Sequence, residues 1–528
     1  MKHIKITIVT LLALLLLSIP LTAQDKRTLD TKVADLLVQV PASDQQKLNE
    51  QMQAMLSLEE AGLQLVLDLV IPPGTGDDTK ARVAIESLSR YLSQSGMEMQ
   101  QIRWEAMILE EIEKREDPFV QSFFISQLNY FGSEAAVESL SDYLTDPKLQ
   151  DPTIRAIRDI DPDEAAELFV NQLDKCEGRA QIALINAIRE TGNSSHAEAV
   201  AELAGSSSPE LQRSVLACLE TLGNPESHGL LSSAAKKTRY LPEPTRATGS
   251  LILYAQTLSE HNNQDLSLRI CKSLLRKCTA PEQVHFRSAA LITAAEGESL
   301  EKSVSMLVDA MKEENKVYRM TAIRYAAENN TPVDPWISAL KSSKSNDVKA
   351  EILSLFGMLH SKETVDVVKS YLANPDPGVR QQAVLSLALI KHSEAIPDIL
   401  KYTLSYPAEP DSETAKAALL QTLTLDQLPL LTAALDEAPE GAKVVLIEVI
   451  AAKGDPGSFD TLFSLTEQAG AVRTASLKNL HMVSDQGDLG DLMRLFDQLE
   501  DKDEMTYVET ALIAAINRGP HKEVSTQA

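Results

Sequence analysis

The sequence predicts an all-α protein, a right-handed α-solenoid of about a dozen stacked helix pairs. Three observations lead to this fold class. Aromatic residues make up only 4% of the chain, and the β-branched runs typical of strands are scarce. Apolar residues recur with helical periodicity in blocks of about 12–15 residues, separated by turns rich in Gly, Pro, Asn and Asp. Similar segments also return at intervals of 31 or 32 residues.

Residues 1–23 are predicted to form a cleaved secretory signal peptide. A basic start precedes the apolar run Ile6–Leu17, and then Pro20 and Ala23 supply a helix breaker and a small cleavage-site residue. As a helix the run spans roughly 18 Å, too short for a hydrocarbon core of about 30 Å. No cysteine lies near Ala23, so we expect no lipid anchor. No later uncharged apolar stretch is long enough to cross a membrane, so we expect no membrane span. The predicted location is the periplasm or the extracellular space.

Residues 24–79 are expected to form an N-terminal helical cap that ends in a Pro- and Gly-rich loop. The stretch Pro72–Gly76 has some likeness to a phosphate-binding loop. Such a loop needs a lysine directly after its last glycine, and this chain has Asp77 there, where a carboxylate repels phosphate. The sequence therefore predicts no ATP binding, and Asp77 or Asp78 is expected to cap the next helix.

Residues 80–518 are predicted to be the repeat array, and its clearest unit begins at Asp376. Asp376 is suited to cap the first turn of a helix, and Pro377 suits the first helical position. An apolar stripe facing the second helix of the pair follows: Val379, Ala383, Val384 and Leu387. A divergent unit is expected around residues 151–176.

Equivalent positions support the repeat. Three valines are predicted to open equivalent first helices, each followed closely by a basic residue: Val317 with Arg319, Val348 with Lys349, and Val379 with Arg380. Ala290 and Ala322 are equivalent in the same way, as are Arg287 and Arg319. Gly192 and Gly223 are predicted to close equivalent helices.

This unit resembles the HEAT family, in the variant with Asp-Pro-x-Val-Arg at the start of the first helix, here Asp376–Arg380. The resemblance implies stacked helix pairs, and it assigns no catalytic or ligand-binding role to any residue. Five segments near the N-terminus resemble the helical-repeat region of large secreted Gram-negative bacterial proteins: Ala34–Leu37, Val40–Ala42, Ile71–Asp78, Phe124–Leu128 and Tyr143–Asp146. In those proteins a β-jelly-roll domain of the 3-keto-disaccharide hydrolase type follows. The present sequence has no strand-rich segment of that kind, so no catalytic residue is carried over.

The net charge of −26 argues against binding to nucleic acid or to anionic membranes. Residues 236–287 form the one basic segment, and we expect Arg269, Lys272 and Arg276 to share one face of a helix there. This segment is the candidate partner-binding site, and its plain alternative is an ordinary solvated surface. The candidate residues are Lys236, Lys237, Arg239, Arg269, Lys272, Arg276, Lys277 and Arg287.

Aromatic residues crowd one predicted helix near position 120. One face is expected to be core: Val120, Phe124, Leu128 and Phe131. A second stripe lies about 100° away: Phe119, Phe123 and Tyr130. This stripe is either core between repeats or an exposed platform on which a sugar or a peptide stacks.

No metal site, cofactor site or catalytic residue is predicted. Asp159, Asp161 and Asp163 alternate as in a calcium loop, but Glu164 and Val170 stand where that loop needs glycine and glutamate. We therefore expect Asp161 to cap a helix instead.

Two further pairs of potential ligands are predicted to lie apart. His360 and His392 occupy similar turns of adjacent repeats, about 10 Å apart if neighbouring helices pack normally, which is too far to share a metal. Cys271 and Cys278 lie on one predicted helix with Cα atoms about 10 Å apart, whereas a disulfide tolerates about 7 Å.

The C-terminus is predicted to be half a repeat followed by a polar tail, residues 519–528. The segment Glu504–Arg518 matches a first helix, yet no second helix follows. It is apolar on two sides: Val508, Leu512 and Ile516 on one, and Tyr507, Ala511 and Ala514 on the other. We expect a partner or a continuing polypeptide to cover it.

These observations favour an exported, non-catalytic scaffold that binds a protein partner or a carbohydrate. The alternative is the accessory region of a secreted carbohydrate-active hydrolase whose catalytic domain is absent from this chain.

Overall fold

In the computed structural model, residues 27–94 and 96–518 are described, and every regular element within these ranges is helical. The predicted signal peptide (residues 1–23) and polar tail (residues 519–528) lie outside the described residues. The chain divides into two compact units, the first holding residues up to 239 with 243–258, and the second holding 240–242 with the residues from 259 onward. The predicted all-α, solenoid fold class is confirmed.

The first unit contains helices α1 to α14, and the last two residues of α14 belong to the second unit. Their bounds are α1 Leu29–Val38, α2 Gln45–Leu56, α3 Glu59–Asp68, α4 Thr79–Leu92, α5 Glu98–Lys114, α6 Pro118–Leu128, α7 Glu134–Leu140, α8 Gln150–Ile160, α9 Pro162–Gln172, α10 Arg179–Thr191, α11 Ala197–Ala201, α12 Pro209–Leu222, α13 His228–Lys237 and α14 Ala247–Glu260. Short 3₁₀ turns lie at Ser141–Thr145, Leu173–Lys175, Ser194–His196, Glu202–Gly205 and Pro225–Ser227.

The second unit contains helices α15 to α30. Their bounds are α15 Gln264–Lys277, α16 Val284–Gly297, α17 Leu300–Ala310, α18 Lys316–Glu328, α19 Asp334–Ser342, α20 Asn346–Met358, α21 Val365–Ser370, α22 Pro377–Lys391, α23 Ile396–Ser405, α24 Asp411–Thr422, α25 Leu428–Ala434, α26 Glu440–Ala452, α27 Phe459–Ser464, α28 Gly470–Val483, α29 Leu489–Phe496 and α30 Lys502–Arg518. Short 3₁₀ turns lie at Pro281–Gln283, Lys362–Thr364, His392–Ala395, Leu425–Gln427, Pro456–Ser458, Leu465–Glu467 and Gln486–Asp488.

Helices of the second unit alternate between two roles. The first helices of successive pairs, α18, α20, α22, α24, α26, α28 and α30, each pack against the next. The second helices, α19, α21, α23, α25, α27 and α29, each pack against the first helix that follows. The first helices from α20 to α28 are therefore packed between two neighbouring first helices, which is the stacking that a repeat needs to complete its core.

The predicted start of α22 is confirmed. The Asp376 side chain accepts a hydrogen bond of 3.0 Å from the Val379 N–H, and Pro377 takes the first helical position. The apolar stripe behind this cap is fully buried: Val379, Ala383, Val384 and Leu387. Gly192 and Gly223 end α10 and α12 with φ of 69° and 61°, the left-handed backbone that glycine adopts without strain.

Ion pairs join successive first helices across one repeat length. In each, a basic residue near the start of one helix reaches a carboxylate 31 or 32 residues later: Arg319–Glu351, Arg380–Asp411, Lys416–Glu448 and Arg473–Glu504. The Arg319–Glu351 pair is the most buried, with side chains 6% and 7% exposed and an Nε–Oε2 distance of 2.7 Å. These pairs fix the register between repeats.

The predicted alignment of Val317 with Val348 and Val379 is wrong by one residue. Val317 is 60% exposed, whereas Tyr318 is buried and its N–H bonds the capping side chain of Asn315. Val348 and Val379 receive the equivalent capping contacts from Ser345 and Asp376. The cap fixes which residue turns inward, so Tyr318 takes the place of the valine.

The four cysteines are free and buried, as expected for a chain without a disulfide framework. Burial raises the pKa of the Cys218 and Cys271 thiols to about 12, so both remain protonated and unreactive near neutral pH.

Candidate functional site

An open apolar groove of the second unit lies between helices α17 and α19. Leu300, Val304 and Val308 follow one another at four-residue intervals along one wall. The opposite wall is made of small side chains, Pro335, Ser338 and Ser342. This end of the groove has a volume of about 570 Å³, and Leu300 is 59% exposed beside it. A groove of this kind accepts apolar side chains from outside.

The groove exists because the side chains that α19 turns towards α17 are small, whereas its large side chain, Trp336, is turned inward. Trp336 is fully buried, and its Nε1–H donates to the Thr331 hydroxyl at 3.1 Å, which fixes the start of α19. With Trp336 turned inward, Ser338 is exposed and faces α17. The Ser338 hydroxyl donates to the Asp334 carbonyl of its own helix, so it leaves the groove open.

Three lysines surround the wider end of the groove, which has a volume of about 950 Å³. Lys316 and Lys344 are exposed and make no ion pair within the described residues, while Lys312 pairs with Asp309 at 2.6 Å. Glu314 and Asp347 also line this end. The charge there is mixed, so a single carboxylate matches it better than a run of acidic residues.

The predicted basic segment is partly committed to internal contacts. Lys236, Lys237 and Arg239 belong to the first unit, and the other five candidates belong to the second. Lys272 pairs with Glu298 at 2.5 Å and lowers the pKa of that carboxyl. Arg287 pairs with Glu313 at 2.8 Å.

Four of the remaining candidates are still available to a ligand, and two of them, Lys236 and Lys237, are exposed without an ion pair within the described residues. Lys277 lies 5.5 Å from the centroid of the Tyr240 ring. Arg269 and Arg276 are exposed on α15 and make neither an ion pair nor a hydrogen bond within the described ranges. The segment as an anion-binding patch therefore stays a prediction, and in the second unit it rests mainly on these two arginines.

The aromatic stripe on α6 is partly exposed. The predicted core face is buried at Val120, Phe124 and Leu128, whereas Phe131 is only half-buried. On the second stripe, Arg82 and Arg90 of α4 cover Phe123 and Tyr130, at 4.6 and 5.0 Å from the ring centroids. Phe119 is 70% exposed at the end of the stripe. Cation–π contacts therefore occupy most of the stripe and leave one ring open to solvent.

The other motifs have structural roles. Asp161 caps α9 by accepting from the Glu164 N–H at 3.0 Å, and Asp77 accepts from the Thr79 N–H at the start of α4. Within residues 27–94 and 96–518, no group of three or more His, Cys, Asp or Glu side chains is arranged to hold a metal ion. The expected separation of His360 and His392 is wrong, because their ring centroids lie 6.0 Å apart.

The C-terminal helix α30 has an exposed apolar side. Val508, Ala511 and Ala515 are buried against the preceding repeat, whereas Ile513 and Ile516 are 54% and 58% exposed. A partner or continuing chain over this side stays a prediction. None of the helices in the described part of the chain has the length and apolarity needed to cross a bilayer.

Residues 333–423 match the family model of HEAT repeats. This stretch contains α19 to α24, including the unit that begins at Asp376. No curated protein sequence matches the chain.

Several solved karyopherin structures are similar to the chain. Kap121p bound to the extreme C-terminus of the protein phosphatase Cdc14p is 10% identical over 88% of this chain and 63% of its own, with a TM-score of 0.44. Kap121p bound to Ste12p is 13% identical over 89% and 59%, with a TM-score of 0.45. The Kap95:Nup1 complex is 13% identical over 93% and 72%, with a TM-score of 0.35. This chain spans about three fifths of the Kap121p chains, and the fold assignment rests on the helix packing described above.

The sequence did not indicate the groove between α17 and α19. Its walls come from second helices, which carry no recurring motif, and its depth depends on which side of α19 holds Trp336. The available signal was local: Leu300, Val304 and Val308 share a helical face, and serines are frequent from 338 to 345.

Proposed function

We propose that the chain is a non-catalytic interaction scaffold whose groove between α17 and α19 binds an extended segment of a protein partner. The open groove carries this proposal, because Leu300 is exposed along its apolar wall, and no element covers the groove within the described residues. The match of residues 333–423 to HEAT repeats supports a protein-binding role.

The groove defines the chemistry of the partner segment. Its apolar side chains pack against Leu300, Val304 and Val308, and its backbone passes along the small residues of α19. One carboxylate, from Asp, Glu or a chain terminus, meets Lys316 and Lys344 at the wide end. Covering a largely exposed leucine contributes about 1 kcal/mol, so several apolar contacts are needed for stable binding.

Display selection of random peptides on the purified chain tests this proposal. We expect enriched peptides to combine spaced apolar residues with one acidic group. Filling the groove by Ser338→Trp should weaken their binding at least about tenfold, or 1.4 kcal/mol, in fluorescence anisotropy.

Ser370→Trp is the matched control, because Ser370 is also an exposed serine on a second helix and bonds only its own backbone. This variant should bind like the wild type. The proposal fails if no peptide is enriched, or if the enriched peptides bind the Ser338→Trp variant with unchanged affinity.

We also propose that the scaffold acts outside the cytoplasm. The basic start, short apolar run and small residue of the first 23 residues support this location. Expressed in a Gram-negative host, the protein should be recovered from the periplasm or the medium with Gln24 as its first residue. A cytoplasmic product that retains residues 1–23 in its intact mass would contradict export.

The alternative function is the accessory region of a carbohydrate-active hydrolase. The exposed ring of Phe119, next to the Arg82–Phe123 contact, favours it because sugars stack on open aromatic faces. On this alternative the gene continues past Ala528 into a catalytic domain, and Phe119→Ala abolishes binding on a glycan array. An array on which wild type and variant show no signal removes the alternative.

A further inference from the structure

Two histidines from successive repeats lie side by side in the second unit. His360 follows the end of α20, and His392 follows the end of α22. Their ring centroids are 6.0 Å apart, with an interplanar angle of 24°. Gly357 permits this approach, because a Cβ there would lie 3.1 Å from the Cα of Ser386 on α22. The two helix ends are therefore closer than the usual packing distance predicts.

Hydrogen bonding leaves one ring nitrogen of His360 available. Its Nδ1 lies 2.9 Å from the Leu389 carbonyl oxygen, which can only accept, so Nδ1 carries the proton and donates. In the neutral ring, Nε2 then holds a lone pair, and the ring is exposed to solvent. Metal-binding histidines have this arrangement, in which a backbone carbonyl fixes the tautomer and the ring orientation.

The second ring is also available. The side chain of His392 is exposed and makes no hydrogen bond within the described residues, so it can turn Nε2 towards an ion held by His360. Both histidines have left-handed backbones, with φ of 49° and 51°. The corresponding turns of other repeats also have a positive φ, on residue types that tolerate it: Gly192, Gly223, Asn330 and Gly454.

We propose that His360 and His392 together bind one divalent transition-metal ion, such as Zn²⁺, Ni²⁺ or Cu²⁺, through their Nε2 atoms. Two imidazoles sharing an ion at about 2.1 Å have ring centroids roughly 5–6.5 Å apart, which includes the observed distance. Imidazole nitrogen suits these three ions. The protein supplies two ligands, and water or a partner side chain supplies the others.

The surrounding charge permits a cation at this position. The ends of α20 and α22 carry the negative pole of the helix dipole. The flanking charged residues are Lys362, Glu363, Lys391 and Glu394, and Lys391 pairs at 3.2 Å with Asp398, which also pairs with Lys369 at 2.8 Å. This site lies on different elements from the groove and does not depend on the proposed function.

Calorimetric titration of the untagged, chelator-treated protein with Ni²⁺ tests the site at pH 7.5. We expect one saturable site that requires both histidines. His360→Asn and His392→Asn should each weaken it at least about tenfold, since losing an outer-shell partner alone costs about 10–100-fold in metal affinity. Asparagine is the substitute because it tolerates a positive φ better than most residues, as Asn330 does with φ of 48°.

The matched control is His481→Asn. His481 also contacts a backbone carbonyl through Nδ1, that of Lys478 at 2.9 Å, but no second imidazole stacks on it among the described residues. This variant should keep the wild-type affinity. The proposal is overturned if the wild type shows no saturable Ni²⁺ site, or if either variant at 360 or 392 binds Ni²⁺ unchanged.

Discussion

At the scale of single residues, the charges buried between repeats have the largest energetic consequences. Arg319 donates to Glu351 and also to the backbone carbonyls of Glu313 and Glu314, at 2.9 and 2.7 Å. One guanidinium therefore closes the turn before its own helix and holds the next repeat. Its removal leaves the Glu351 carboxylate buried without a partner.

We predict that Arg319→Met lowers the free energy of unfolding by about 3–5 kcal/mol, as expected for breaking a buried ion pair. Lys312→Met is the control, since the Lys312–Asp309 pair is 77% and 62% exposed and should contribute less than about 1 kcal/mol. Urea denaturation of both variants measures the difference. Equal, small effects would show that the Arg319 pair does not hold the repeats together.

A second residue makes stability depend on pH. Burial raises the pKa of Glu220 on α12, while the Ser250 hydroxyl, Arg189 and Arg246 lower it only in part. Its Oε2 is buried without a hydrogen-bond partner. Folding thus favours the protonated carboxyl, so stability is lost as pH rises from the ordinary value of 4.5 through the raised one.

Glu220→Gln should therefore be more stable than the wild type at pH 7, and the two should converge as the pH falls below 4.5. Thermal unfolding across this pH range measures the effect. Glu210→Gln, at an exposed position of the same helix, should give no gain at pH 7. A gain for Glu220→Gln that persists unchanged at low pH would contradict the mechanism.

At the scale of elements, the start or end of a helix was predictable where it is fixed by a residue type with a specific role there, such as a capping aspartate or a terminal glycine. The Asp376 cap, the Gly192 and Gly223 ends and the buried stripe of α22 follow from local chemistry. Val317 was misaligned because an exposed valine and a buried one look alike in sequence. The predicted distance between His360 and His392 was wrong because it depends on the contact of Gly357 with Ser386, which belong to different repeats.

The cap of α22 gives a prediction at this scale. Asp376→Ala should cost about 1 kcal/mol, because the Val379 N–H loses its acceptor. Asp376→Asn keeps a capping oxygen and should cost much less. Urea denaturation compares the two variants. An alanine variant as stable as the wild type would mean that packing alone fixes the start of α22.

At the scale of the molecule, the account concerns which surface a partner uses. The fold class was predictable because repeat spacing and helical periodicity extend over most of the chain. The proposed binding surface was not predictable, because whether a basic residue is free for a ligand depends on partners that are distant in sequence. Lys272 and Arg287 are neutralised by Glu298 and Glu313, residues that are distant in sequence.

Hydrogen–deuterium exchange of the chain with and without a selected peptide tests the proposed surface most directly. The account predicts that added protection is concentrated in residues 300–310 and 334–342, the walls of the groove. Ser338→Trp should remove this protection, and Ser370→Trp should keep it. Protection concentrated instead in residues 264–277 of the basic segment, or in residues 118–128 of the aromatic stripe, would contradict the account.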